Sequence, residues 1–277
     1  MTLFISYGMT RSGSTLAFET EKAILEKYGM PQQKINFEGL GSWIENYLPE
    51  KYLSDIDSLE KINQNTLTNF VVFKTHGAAN KKLIEFIRKF NIPVTISVRD
   101  PKDIIISLLE ISKKNRSINE TGFINIISFK DALKNVEEDL WRLETWRPLI
   151  VDGTAKVIPY EDTIKDAEII IKFLADLTSK PKLLISEIKE ITKKRFTQFN
   201  IGIAGRGQKY LNYMEIFRVE KNVYRRLNNV INPFVFYKKT KFSIIKLVID
   251  ILNYKKEILF LQIKKLIKLI NLLRNKK

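Results

Sequence analysis

Gly8-Met9-Thr10-Arg11-Ser12-Gly13-Ser14-Thr15 places two glycines, four hydroxyls and a guanidinium within one short stretch. Glycines let a backbone curl so that successive N–H groups point inward, and a helix starting behind the curl adds its positive end. The chemistry such a stretch can do is to cradle a phosphate. Lys74-Thr75-His76 offers a cation and a titratable imidazole two residues apart. The cation could stabilise a group in transfer and the imidazole could take a proton from an acceptor. A lone histidine can equally be a structural residue. Arg99-Asp100-Pro101-Lys102-Asp103 pairs a guanidinium able to grip phosphate bidentately with an Asp-Pro helix start, and Ser107 follows two turns later.

These three groups need elements to bring them together. Leu3–Tyr7, Phe70–Phe73, Pro93–Val98 and Ala155–Pro159 read as short buried strands. Helices are expected over 14–28, 81–90, from Pro101 onward, over 129–146 and over 166–177. Residues 32–68 are mixed and polar, with Trp43 and Tyr47 as apolar anchors. Strands alternating with helices predict an α/β domain with a central parallel sheet flanked by helices. In such sheets ligands bind at the carboxyl ends of the strands, and each motif stands at one. The first has the spacing of a kinase or nucleotidase phosphate loop with one departure. The lysine expected before the Ser/Thr pair is replaced by Ser14, and the cation lies inside the loop at Arg11. A triphosphate is poorly served by that change, which weakens a kinase or NTPase reading.

Composition narrows the chemistry further. The 277 residues contain no cysteine and one histidine, His76. Thiolate and multi-histidine metal sites are thereby excluded, and no metal is expected. The net charge is +16, unevenly spread. Residues 221–277 carry fifteen Lys and Arg against Asp250 and Glu257, whereas residues 1–220 are nearly balanced. The basic pI therefore describes the tail, and no nucleic-acid partner is expected. The apolar run Leu3–Ser6 leads straight into the glycine loop and does not read as a secretory leader. A cytoplasmic location is expected.

In these motifs the chain resembles the family of sulfotransferases that use 3′-phosphoadenosine 5′-phosphosulfate (PAPS). That family's 5′-phosphosulfate loop, roughly P-[KR]-S-G-[ST]-T, stands here as Thr10-Arg11-Ser12-Gly13-Ser14-Thr15. Its K-T-H triplet stands as Lys74-Thr75-His76, and its R-x-P-x-D motif with a later serine as Arg99–Asp103 with Ser107. Pro159-Tyr160-Glu161-Asp162 resembles a structural Y-E-D segment, and Gly205–Tyr210 a late basic glycine loop. The resemblance covers about residues 1–215. It implies the P-loop-like sulfotransferase architecture and PAPS as co-substrate. Arg11, Ser12, Gly13, Ser14 and Thr15 would hold the 5′-phosphosulfate. Arg99 and Ser107, with Arg206 and Gly207, would hold the 3′-phosphate. Lys74 would stabilise the bridging oxygen, and His76 would deprotonate an acceptor hydroxyl for direct in-line transfer. Arg11 in the lysine position is closer to carbohydrate-modifying and bacterial members, and Leu16 replaces an aromatic residue found in cytosolic ones. A carbohydrate or glycolipid acceptor is therefore expected. In some carbohydrate members a glutamate on the helix after the loop is the base, and Glu19 has that offset, which makes it the second candidate.

The tail differs in kind. Ile245, Leu252, Leu259, Leu266 and Leu273 recur every seven residues among lysines. The expected division is a sulfotransferase-like domain over 1–235 and a basic amphipathic helical tail over 236–277. Three uses fit the tail: lying on an anionic membrane surface, pairing in a homodimer, or packing on the domain. The scarcity of acids argues against a coiled coil and for the membrane. A non-catalytic, membrane-associated nucleotide-binding protein is the remaining alternative to an enzyme.

Overall fold

A computed structural model describes residues 2–34, 46–64, 70–184, 186–187 and 203–231. Its centre is a four-stranded, all-parallel sheet in the order β2-β1-β3-β4. The strands are β1 (Thr2–Gly8), β2 (Phe70–Thr75), β3 (Val94–Val98) and β4 (Ala155–Pro159). Both faces of a parallel sheet are covered, so its strands are apolar on both sides. Along β1, Leu3, Ile5 and Tyr7 join one core with Val71, Phe73, Val94 and Ile96. Phe4 points the other way and joins Val72 and Ile158.

Helices α1 (Ser14–Lys27), α2 (Glu50–Leu53), α3 (Ile56–Gln64), α4 (Lys81–Lys89), α5 (Pro101–Ser117) and α6 (Phe129–Thr145) follow in chain order. After them come α7 (Arg147–Val151), α8 (Tyr160–Lys165), α9 (Glu168–Thr178), α10 (Arg206–Tyr210), α11 (Tyr213–Val219) and α12 (Arg225–Val230). A π-helical turn, Glu220–Tyr224, joins the last two. Helices α1 and α9 lie on the Phe4 face, and α4, α5 and α6 on the other.

Local chemistry explains why the helices begin where they do. Asp100 caps α5 by accepting from the Lys102 amide at 2.8 Å, and Pro101 occupies its first turn, where no amide donor is needed. A reciprocal capping box of Ser128 and Asp131 opens α6. That helix buries Leu133, Val136, Leu140 and Leu143 on one stripe. Truncating one such leucine to alanine costs about 2–5 kcal/mol.

The expected α/β class and parallel sheet are present. Three details differ from expectation. Lys74 and Thr75 are the last residues of β2 rather than its sequel. The mixed stretch before β2 contains α2 and α3, and Tyr47 bridges to Lys74 at the sheet edge. The helix expected over 166–177 starts at Glu168, after the separate turn α8. The tail helix and the boundary at 235/236 lie outside the described residues. Among those described, no helix is long and apolar enough to cross a membrane.

Candidate active site

The strand order puts β1 between β2 and β3, so the chain leaves the sheet centre first to one side and then to the other. The crevice at such a reversal, beyond the carboxyl ends of the strands, is where open α/β sheets take ligands. The loop 9–13 leaves β1 there and runs into α1.

The loop is tightly wound. The Ser12 amide and hydroxyl both donate to the Met9 carbonyl, at 3.1 and 2.7 Å. The Thr10 amide donates to Asp139 of α6 at 2.7 Å. Arg11 has φ 62° and Gly13 φ 86°, so the chain turns left-handed twice within three residues. At Gly13 a Cβ would lie 2.3 Å from the Tyr160 ring, so glycine is required there by both dihedral and space. Helix α1 starts with no side-chain cap and no acid in its first turn. Its first amides are therefore free of the usual intramolecular acceptors, as an anion site needs.

Cations surround this opening. Arg11 Nε donates to the buried Ser107 hydroxyl on α5 at 3.0 Å. Burial and the neighbouring Arg99 both lower the Arg11 pKa. Arg99 is 7% exposed. It donates to the Arg11 and Ile203 carbonyls, each at 3.3 Å, and lies 4.1 Å above the Tyr160 ring. Its Nε has no partner among the described residues. A buried, unpartnered guanidinium donor is costly unless a ligand meets it.

On the other side of the loop stands β2. Lys74 Nζ donates to the Thr15 hydroxyl at 2.7 Å, which ties the strand end to α1. Burial, with help from Arg11, lowers the Lys74 pKa to about 8, partly offset by Glu19. His76 Nδ1 lies 2.5 Å from the Gly8 carbonyl. A carbonyl only accepts, so Nδ1 carries the proton and Nε2 is left as the acceptor. Burial first, and Lys74 next, push the His76 pKa down to about 4, so the ring is neutral at pH 7. Glu19 is on α1 with its carboxylate 3.9 Å from Lys22.

The late loop reaches the same place. Arg206 forms an ion pair with Glu110 on α5. The Gly205 and Gly207 amides donate to Asp103 at 2.7 and 2.6 Å.

The structure thus brings Arg11, Ser12, Gly13, Ser14 and Thr15 around one helix terminus, with Lys74 touching it and His76 beside Gly8. Arg99 and Ser107 lie against Arg11, and Arg206 and Gly207 sit on α5 two turns or less from Ser107. Glu19 lies close enough to Lys74 to favour its charged form. Sequence reasoning assigned no role to Tyr160, Asp139, Asp103 or Glu110. Tyr160 lies in the Y-E-D segment and Asp103 in the arginine motif, so both were within motifs already singled out. Asp139 and Glu110 carry no local signal, because only the packing of α6 and α5 brings them to the loops.

No protein-family model matches the chain, and no curated protein sequence matches it. Solved structures do. The mouse sulfotransferase SULT7A1 complexed with PAP superposes with a TM-score of 0.52 at 13% identity, over 82% of this chain and 84% of that chain. Retinol dehydratase in complex with androsterone and inactive cofactor PAP gives a TM-score of 0.49 at 16% identity, over 82% of this chain and 81% of that chain. A parallel sheet in this order with the glycine loop at its centre, and the likeness to the mouse enzyme over most of both chains, show that this chain has the sulfotransferase fold.

Proposed function

We propose that the protein is a PAPS-dependent sulfotransferase that moves a sulfuryl group to an acceptor hydroxyl. One observation carries this reading. Lys74 is hydrogen-bonded to Thr15 of the phosphate loop while His76, two residues on, is held neutral against Gly8 with Nε2 free to accept. A cation and a base thus share the mouth of one anion cradle. PAPS supplies the activated sulfuryl group when bound.

The residues present fit that co-substrate. The uncapped start of α1 with Arg11, Ser12, Gly13, Ser14 and Thr15 would hold the 5′-phosphosulfate. The unpartnered Arg99 Nε and the Ser107 hydroxyl suit a second phosphate. Lys74, protonated, would offset the charge that develops on the bridging oxygen of PAPS. His76 accepts the acceptor's proton at Nε2. Glu19, next to Lys74, keeps that ammonium charged; it is the second candidate for the base. Positioning and cations carry most of such a transfer, as they do in phosphoryl transfer.

The acceptor we assign is a hydroxyl of a carbohydrate or glycolipid. The Arg11 loop supports this, and so does the polar surround of His76. Tyr47 lies 6.0 Å from its ring, and Arg142, which pairs with Asp139 and Glu50, is close enough to lower its proton affinity.

The test is calorimetric titration of adenosine 3′,5′-bisphosphate (PAP), with ATP and magnesium as control, on wild type and Arg99→Ala. Selective binding of PAP, weakened by about 1.5–3 kcal/mol in the variant as for a charged hydrogen-bonding contact, is expected. A preference for ATP would replace this reading with the kinase one. PAP binding without sulfuryl transfer to any hydroxyl acceptor would leave a nucleotide-binding protein.

A further inference from the structure

Helix α5 presents a stripe to the late loop that the transfer chemistry does not use. Asp103, Ser107 and Glu110 follow at helical spacing of four and three residues, and so share one face. Ser107 meets Arg11, and Glu110 meets Arg206. Asp103 is 1% exposed and accepts two backbone amides of the late loop, Gly205 N through Oδ2 at 2.7 Å and Gly207 N through Oδ1 at 2.6 Å. Its Oδ2 also stands 3.9 Å from Arg99 NH2. Both carboxylate oxygens are therefore spent on the loop, while the one charged pairing is long. Gly207 is pressed onto the same helix, where a Cβ would come within 2.4 Å of the Lys102 carbonyl carbon. Arg99 adds a third tie by donating to the Ile203 carbonyl.

Resting on the reading above, we propose that Asp103 is a positioning residue that clamps residues 205–207 onto α5 and so aims Arg206 at the 3′-phosphate. Two charge-assisted bonds from one buried carboxylate fix the loop backbone, and Gly207 allows the contact to close. Arg206 pairs with Glu110 on that face, one turn from Ser107. A phosphate between Ser107 and Arg99 offers the guanidinium a more highly charged partner at short range. Asp103 acts through the loop and touches no reacting atom. Its effect belongs to recognition of the 3′-phosphate, not to the 5′-phosphosulfate or the transfer step.

The experiment compares PAP with 5′-AMP, which lacks the 3′-phosphate, as ligands of wild type, Asp103→Asn and Gly207→Ala. Both variants are expected to lose roughly tenfold or more in PAP affinity while 5′-AMP affinity stays within about twofold, a change of the size one charged contact carries. Amide hydrogen exchange at residues 205–207 is expected to quicken in both, with or without nucleotide. In turnover, the KM for PAPS rises and kcat holds. Equal loss for both ligands would mark general destabilisation and overturn the proposal, as would an unchanged ratio. A loss in Asp103→Asn but not in Gly207→Ala would assign the effect to the Arg99 pairing and also overturn it. If Asp103→Asn does not fold, Gly207→Ala decides by the same ratio. Wild type failing to prefer PAP over 5′-AMP would instead sink the sulfotransferase reading, and this inference with it.

Discussion

In the proposed mechanism His76 works when it is unprotonated and Lys74 when it is protonated. The histidine loses its proton above about 4 and the lysine loses its own above about 8. The profile of kcat/KM, which reports the free enzyme, is therefore expected to be a bell with its limbs near those values. A plateau reaching undiminished to pH 10 would remove Lys74 from the mechanism. His76→Ala is expected to lower kcat by about 100-fold or more with PAP affinity little changed, since general bases contribute about 100- to 10,000-fold. If Glu19→Gln gives that loss and His76→Ala does not, Glu19 is the base. A different titration governs stability. Glu21 on α1 is fully buried beneath the sheet, where Thr95 donates to it at 2.6 Å, and burial raises its pKa to about 8. The folded state then holds a proton that the unfolded chain releases near the ordinary carboxylate pKa. Stability falls as pH rises from there to about 8, by at most about 1.4 kcal/mol per pH unit. Glu21→Gln is expected to flatten that slope in urea melts at pH 5 to 8; an unchanged slope would show that the proton resides elsewhere.

Elements decide whether these residues meet. Helix α1 begins at Gly13 with a positive φ and with Tyr160 of α8 seated where a side chain would go. Gly13→Ala is expected to push that ring away, disturb its contact with Arg99, and weaken PAP binding by at least tenfold while costing about 1–3 kcal/mol in stability. Calorimetry and thermal melts on the one variant check both. The strands and long helices were legible because their apolar periods are strong and their ends are marked. Pro101, for one, marks a boundary in the sequence. Helices α2 and α3 were not legible, because a four-residue and a nine-residue helix in a polar stretch are too short to stand out from their surroundings. The candidate site was legible wherever the residues of one strand end are contiguous. Asp139 and Glu110 were not, since they act from the middle of helices whose facing surfaces only the packed fold defines. Lys74 shows a related gap. Its side chain reads as a free cation in sequence, yet it is already bound to Thr15 across the crevice.

At the scale of the whole molecule, charge is divided from chemistry. Residues 1–220, which carry the candidate site, are nearly neutral, and most of the +16 lies in residues 221–277. Tethering to an anionic surface would bring a glycolipid acceptor and the enzyme into one plane. The full chain is expected to sediment with vesicles containing anionic lipid at low ionic strength and to be released by salt, as each basic residue near such a surface adds about 1 kcal/mol. Removing residues 240–277 is expected to abolish the association while leaving PAP binding intact. Failure of the full chain to sediment would assign the tail to another role.

Among the described strands, the one that carries the phosphate loop comes earliest in sequence, yet it is paired on both sides in the sheet. Thr2–Tyr7 pairs with Phe70–Thr75 on one side, and Ile5–Gly8 pairs with Val94–Ser97 on the other. During synthesis the ribosome therefore releases an apolar segment whose hydrogen-bonding edges stay bare until some seventy and then some ninety further residues have emerged. For that interval the same segment is open to pairing with another chain, a hazard set by the order of the strands in the sheet.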